Sequence, residues 1–388
     1  MRICHIITRF IRGGADENTL YCCNGQADSG HDVHLFYGKD HDKKMLGKLD
    51  WRVCRHYIHA LQREISIIHD AEALVATRSA LKSLHPDIVH THTSKAGVIG
   101  RIAARMCRVP VVIHGVHILP FLNVGVLQRI GYKGIERFMA KYTDAFVSVG
   151  REMMASCLED GIGESDRHYV IHSGMDLGKF NGMGMCPEWG DVLEGHDLPM
   201  GNPMFIALVS RLEERKGQMR FLDLMPGLVE RFPNLVLLIV GEGEERPQLE
   251  AKIRELQIGG NVILTGYRED IEKILAISSI GILTSVREGL PRVLVQYALM
   301  KLPMIAIDIP GVREIVQHEV TGFLVRPDRL EDMARYIELL FTNDLLRKNM
   351  IEEIGKMDLS RWSISTMNEE LIRLYGNLLA RKQQVGLL

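Results

Sequence analysis

The chain has 388 residues, enough for two domains with separate cores, and with 46% apolar and 25% charged residues it has the composition of a globular protein. A net charge of −2 excludes a general attraction to nucleic acid or other polyanions, so any basic surface must be local. Seven cysteines, an odd number without a C-x-x-C, argue against an oxidised scaffold and for thiols in a reducing cytoplasm.

The opening MRICHIITRF lacks the apolar core and small-residue cleavage site of a signal peptide. No stretch reaches the roughly 18 uninterrupted apolar residues of a membrane span, so the expectation is a cytoplasmic protein. RICHIIT reads as a buried strand, IRGGAD as a glycine turn, residues 16–29 as a helix and DVHLFYG as the next strand. PDIVHTH, VPVVIHGV and DAFVSVG continue the strands, with SKAGVIGRIAARMC as a helix between the first two. The stretch 181–203, NGMGMCPEWGDVLEGHDLPMGNP, holds five glycines and three prolines without apolar period and reads as a linker. Alternation then resumes with MFIALVS, a helix over 217–232, LVLLIVG, a helix over 245–257, and the strands NVILTG, IGILTS, PMIAID and TGFLV. An amphipathic helix over 364–383 closes the chain. Strands alternating with helices predict two α/β, Rossmann-like halves with parallel sheets.

Ligands of such sheets bind beyond the carboxyl ends of the strands. Gly13 and Gly14 follow the first strand and let backbone approach an anion at a helix N-terminus, although a tight turn without a ligand explains them equally well. SRLEERKGQ carries Arg211 and Lys216 after a buried strand; two cations there suit a diphosphate, and a solvated charged loop is the alternative. In EGLPRVLVQ, Pro291 is expected at the first helical position, with backbone N–H groups of Gly289, Leu290 and Arg292 available to a phosphate. Glu288 stands ahead of that helix and Gln296 about two turns inside it. A helix-capping Glu288 and a buried, partnered Gln296 are the bland reading. His90, His92, His114 and His117 cluster at two strand ends. His90 and His92 share a strand face, but no carboxylate or cysteine completes a metal-ligand spacing, and a neutral hydrogen-bonding histidine is the expectation.

Taken together, THTSKAGVIGRIAARMCRVPVVIHGVH, VIHSGMDLGKF, SRLEERKGQ, VGEGEERPQLE, LTGYREDI and REGLPRVLVQYALMKLPMIAIDIPGVREIVQHEVTGFLV resemble family 4 retaining glycosyltransferases of the GT-B fold. The wording is most similar to the subgroup that builds exopolysaccharide, capsule or O-antigen. The resemblance implies two Rossmann-like domains whose sheets face each other across a cleft. Residues 1–180 would take the acceptor, 181–203 would link, and 204–358 would hold the nucleotide-sugar, with a C-terminal helix near 362–385 returning to the first domain. It implies a UDP- or GDP-linked sugar donor, a lipid-linked or glycan acceptor, no nucleic-acid partner, and neither cofactor nor metal. Arg211 and Lys216 match the diphosphate clamp, Glu288 the carboxylate on the donor sugar, and His117 the histidine beside it. Gly14, with Gly13, matches the glycine that meets the donor phosphate. Tyr267 and Arg268 lie where backbone meets the base, and Gly289, Leu290 and Pro291 line the donor edge. Gln296 departs from the family, which carries a ribose-binding glutamate there, and so motivates an alternative: a weak or inactive nucleotide-sugar-binding subunit.

Residues 118–141 read as an apolar loop entering a helix on which Arg129, Lys133, Arg137 and Lys141 form a basic stripe beside Ile130 and Phe138. By likeness to related enzymes this face is expected to touch anionic lipid; simple solvation of the charges is the alternative.

Overall fold

The computed structural model describes residues 1–119, 125–181, 187–196, 198–199 and 201–384. The chain forms two compact units, Met1–Met175 with Ser360–Leu388, and Asp176–Leu359.

The first unit is built on seven strands: β1 (Arg2–Ile7), β2 (Asp32–Tyr37), β3 (Cys54–Tyr57), β4 (Ile88–His92), β5 (Val111–Val116), β6 (Ala145–Ser148) and β7 (His168–Val170). All pair in parallel in the order β3-β2-β1-β4-β5-β6-β7. Helices cover both faces, which is why β4, β5 and β6 are buried at every residue. One covering helix comes from the far end of the chain. Ile364–Gln384 packs on Gly14–Asp28, placing Met367, Leu371, Leu374 and Tyr375 in a core with Ile3, Cys22, Ile88 and Val111. Gly25 makes that approach possible, because a Cβ there would stand 2.2 Å from Asn368 Nδ2. Asn368 donates in turn to Tyr21 O at 3.1 Å.

The second unit has six parallel strands: β8 (Met204–Val209), β9 (Leu235–Val240), β10 (Val262–Gly266), β11 (Ile280–Leu283), β12 (Met304–Ile307) and β13 (Gly322–Val325), ordered β10-β9-β8-β11-β12-β13. Val192 and Leu193, from the stretch expected to link, join Phe205, Val236 and Leu238 in its core. The single helix expected over 217–232 is two, Gln218–Leu222 and Met225–Arg231, because Pro226 lacks the N–H that would continue the first. Strands β3 and β7 have no counterpart in the sequence reading. They are short, and β3 is mostly exposed, so neither carries an apolar run.

Chain order reverses between β1 and β4 in the first sheet and between β8 and β11 in the second. At such switch points adjacent strands send their following helices to opposite faces and leave a crevice at their carboxyl ends. Gly13 and Gly14 follow β1, Arg211 and Lys216 follow β8, and Glu288 follows β11.

Six cysteines among the described residues are free. No helix among the described residues is long and apolar enough to cross a membrane.

Candidate active site

In the second unit, loop 210–217 follows β8 and loop 284–291 follows β11. Backbone stitches them together: Val286 N donates to Arg215 O at 3.0 Å and Thr284 Oγ1 to Lys216 O at 2.5 Å. The contact requires glycine at 217, whose φ is +72° and whose Cβ would lie 2.4 Å from Thr284 O. Gly241 plays the same part after β9, since a Cβ there would stand 2.0 Å from Ser210 O. Gln218 braces the loop from below, donating to Ser210 Oγ and Arg211 O, both at 2.8 Å.

This stitching brings Lys216 Nζ to 2.5 Å from Glu288 Oε1, with each side chain 12% exposed. Cation and carboxylate thus hold each other at the mouth of the switch point, pre-placed for a ligand with an anionic part and hydroxyls. Arg211 lies nearby in sequence but is about half exposed, with Glu213 at 3.0 Å. Two residues of this region escaped the sequence reading. Arg287 is half-buried, and desolvation, with Arg215 adding repulsion, lowers its pKa from the ordinary value. Ser285 is fully buried, and its Oγ has no hydrogen-bond partner among the described residues. A serine closing an apolar strand was the only signal.

The helix after this loop differs from expectation. It starts at Arg292, so Pro291 is its N-cap, with φ −75° and ψ 81°, and Gln296 is its fifth residue, just past the first turn. Arg292 N–H donates to Leu290 O at 2.9 Å and is therefore not available to a phosphate. Gln296 is partly exposed between buried Val295 and Tyr297, whose hydroxyl pins Ala207 O and Ile282 O. After β10, Tyr267 is exposed and Arg268 grips Asp270 through two nitrogens at 2.7 and 2.8 Å.

In the first unit, Gly13 caps the Gly14–Asp28 helix, and Asp16 Oδ2 lies 2.7 Å from the place a Gly13 Cβ would take. Burial raises the Asp16 carboxyl to about 7, against hydrogen bonds from the Ile11 and Asp16 backbone. His117 lines a pocket with Thr93, Ser94, His114 and Glu136. The strand register explains the histidines around it. His5 is paired with His90 and Gly115 with His92, so period two puts His5, His90, His92 and His117 on one face. Gly115 leaves room for the cluster: a Cβ there would lie 3.1 to 3.2 Å from nitrogens of His90, His92 and His117, so those rings would have to shift by a few tenths of an ångström. Nitrogens of His5, His90 and His92 lie within 4.8 Å of one another. His5 was missed because a lone histidine in RICHII looks like a satisfied core residue; its histidine neighbours are 85 or more positions away.

The helix over Val126–Ala140 exposes Val126, Leu127, Ile130, Ile135 and Phe138. The expected basic stripe is incomplete. Lys133 is paired with Asp160, while Arg129, Arg137 and Lys141 are exposed, Arg137 with its Nε donating to Asp160 O. Residues 120–124 of the expected apolar loop lie outside the described residues.

Comparison with known proteins decides the family. Residues 12–179 match Glycosyltransferase Family 4 and residues 196–357 match Glycosyl transferases group 1. The chain is 30% identical over 340 residues to UDP-Gal:alpha-D-GlcNAc-diphosphoundecaprenol alpha-1,3-galactosyltransferase of Escherichia coli, covering 86% of each chain. It belongs to the family 4 glycosyltransferases. The enzyme is also 23% identical to the capsular polysaccharide biosynthesis glycosyltransferase CapM of Staphylococcus aureus, over 91% of each chain. Among solved structures it superposes on Anabaena HepE in complex with UDP at TM-score 0.81 and 19% identity, covering 97% of this chain and 100% of that one. That likeness places the glycosyltransferase in the GT-B fold, two Rossmann-like domains, and its relatives place it in polysaccharide biosynthesis.

Proposed function

We propose that this glycosyltransferase moves a sugar from a nucleotide-diphospho-sugar to a lipid-linked or polysaccharide acceptor, with retention of configuration and without a metal ion. The observation that carries the reading is the Lys216–Glu288 pair at the switch point of the second sheet. A donor diphosphate bound there meets Lys216 and Arg211, fixed cations that absorb the charge of the leaving group where other enzymes use Mg²⁺. Glu288 accepts from hydroxyls of the donor sugar, which becomes oxocarbenium-like as its anomeric bond to the phosphate oxygen breaks. The acceptor oxygen forms the new bond on the same face, and its proton passes to the departing phosphate. In the second unit Gly289, Leu290 and Pro291 border the donor and Tyr267 and Arg268 border the base; in the first unit Gly13, Gly14 and His117 are the residues that the family resemblance assigns to donor binding.

The name of the Escherichia coli relative supports a UDP-linked donor and a diphospholipid-linked acceptor. The exposed apolar side chains of Val126–Ala140, with Arg129 and Lys141, support peripheral contact with the anionic lipid that carries such an acceptor. The test is incubation with UDP-galactose, UDP-glucose, UDP-N-acetylglucosamine or GDP-mannose and an N-acetylglucosaminyl diphospholipid, with and without EDTA. Transfer from a UDP-sugar to an α-linked product, unchanged by EDTA, is the expected result. Neither transfer nor donor hydrolysis with any of the four would sink the reading, and loss of activity in EDTA would overturn its metal independence.

Gln296 favours a second reading, a subunit that binds nucleotide-sugar with little or no transfer. An amide can accept from one ribose hydroxyl and donate to the other, but gives up the charge-assisted bonds of a carboxylate. That loss is worth about 1–2 kcal/mol, so Gln296→Glu is expected to tighten UDP binding about ten-fold in calorimetry and leave kcat within a few-fold. A variant that gains transfer where the parent has none would instead establish the second reading.

A further inference from the structure

A directed string of hydrogen bonds runs from the C-terminal helix to the pocket residue His117. It starts at Tyr375, whose hydroxyl lies 2.6 Å from His90 Nδ1 and 3.5 Å from Gln26 Nε2. A phenol has one proton, and it is a stronger acid than a neutral imidazole N–H, while imidazole nitrogen is the stronger base. Across the short contact the proton therefore points from Tyr375 to His90. The phenol oxygen can then only accept from Gln26, which turns the Gln26 amide so that Oε1 faces His5 Nε2 at 2.8 Å. Oxygen only accepts, so His5 carries its proton on Nε2 and offers a lone pair at Nδ1. His92 Nε2, 2.9 Å from that lone pair, must donate, and so His92 Nδ1 is the acceptor for His117 Nε2 at 3.0 Å. Gln26, His5 and His92 are fully buried, so water does not interrupt the sequence of donors and acceptors. Desolvation pushes His5 and His117 down to about 4 and His92 well below its ordinary value, so each ring is neutral with one proton to place.

We propose that Tyr375, Gln26, His5 and His92 are positioning residues that hold His117 as its Nε2–H tautomer, so that it meets a sugar hydroxyl through Nδ1 as an acceptor and not as a donor. The role of the hydroxyl rests on the transferase reading above; the tautomer does not. A sugar hydroxyl can donate or accept, so the tautomer fixes the direction of this bond, with the hydroxyl donating to Nδ1. Tyr375 of the C-terminal helix, more than 250 residues from His117 in sequence, thereby sets the proton position on a residue of the pocket.

The test is two-bond ¹H–¹⁵N correlation of the full chain labelled with ¹⁵N-histidine, the His117 signals being those absent from His117→Gln. A pyrrole-type Nε2 and a pyridine-type Nδ1 are expected at pH 7.5. Tyr375→Phe removes the group that orients Gln26, and a mixture of both tautomers with a kcat/KM reduced about three- to ten-fold is expected. A protonated Nδ1 in the parent protein overturns the proposal, as does an unchanged tautomer and kcat/KM in Tyr375→Phe. The spectra need no substrate, so a chain without transfer activity but with the expected tautomer would refute the transferase reading and leave the string standing.

Discussion

Replacing Lys216 by methionine is expected to lower kcat about 100- to 1,000-fold, the usual consequence of removing one preorganised group that stabilises developing charge. The effect has two sources. The leaving diphosphate loses a cation that is held in place before substrate arrives, with its ammonium 2.5 Å from Glu288 and only 12% exposed. Glu288 is also left as a largely buried carboxylate without its partner, which raises the cost of bringing a phosphate anion beside it. Methionine keeps most of the length and apolar stem, so the loop contacts through Gly217 and Thr284, which are made by backbone, should persist. Initial rates with saturating UDP-sugar, alongside calorimetric binding of UDP, would check this. A kcat within three-fold of the parent, with UDP binding intact, would remove Lys216 from the mechanism. Arg211 serves as the contrast: half exposed and tied to Glu213, it is held less firmly than Lys216, and its replacement by methionine is expected to lower kcat by a smaller factor.

Glu136→Gln is expected to destabilise the first unit by about 3–5 kcal/mol, because it leaves the guanidinium of Arg101 charged and without its counter-ion. Arg101 is fully buried, and its pKa is lowered by burial against the support of Glu136. Its nitrogens reach Glu136 Oε2 at 2.8 Å, Gly97 O at 2.7 Å and Thr143 Oγ1 at 3.3 Å. An amide can still accept one hydrogen bond but cannot neutralise the charge. For a unit of this size the change corresponds to a fall in Tm of about 10 °C in calorimetry. A shift below about 2 °C would mean that water reaches the pair. Because Glu136 also lines the pocket beside His117, the variant separates stability from activity only when rates are measured well below its Tm.

The buried pair illustrates what one-dimensional reading misses. In sequence, Glu136 belongs to a charged, amphipathic helix and Arg101 to the polar face of another, and both look solvated. Only the tertiary structure, which sets Arg101 against Glu136 at 2.8 Å, removes both from water. Lys133 is similar: its spacing places it in a basic stripe, yet Asp160 from the following helix terminus captures it. Local periodicity states which residues share a helix face, but says nothing about which neighbouring element covers that face.

By itself the sequence determined the alternation of parallel strands and helices, the loops in which Gly13, Gly14, Arg211, Lys216 and Glu288 fall, and the departure at Gln296. These are local properties: period two or 3.6, glycine where backbone must turn or approach closely, and charged residues directly after apolar strands. The tertiary structure alone decided that Lys216 and Glu288 touch, that Pro291 caps the helix instead of entering it, and that the Tyr375 hydroxyl meets His90. Each of these depends on the pairing of β1 with β4, on that of β8 with β11, or on the docking of Ile364–Gln384 against Gly14–Asp28. Those contacts join residues tens to hundreds of positions apart, and they form only when whole sheet faces are buried together.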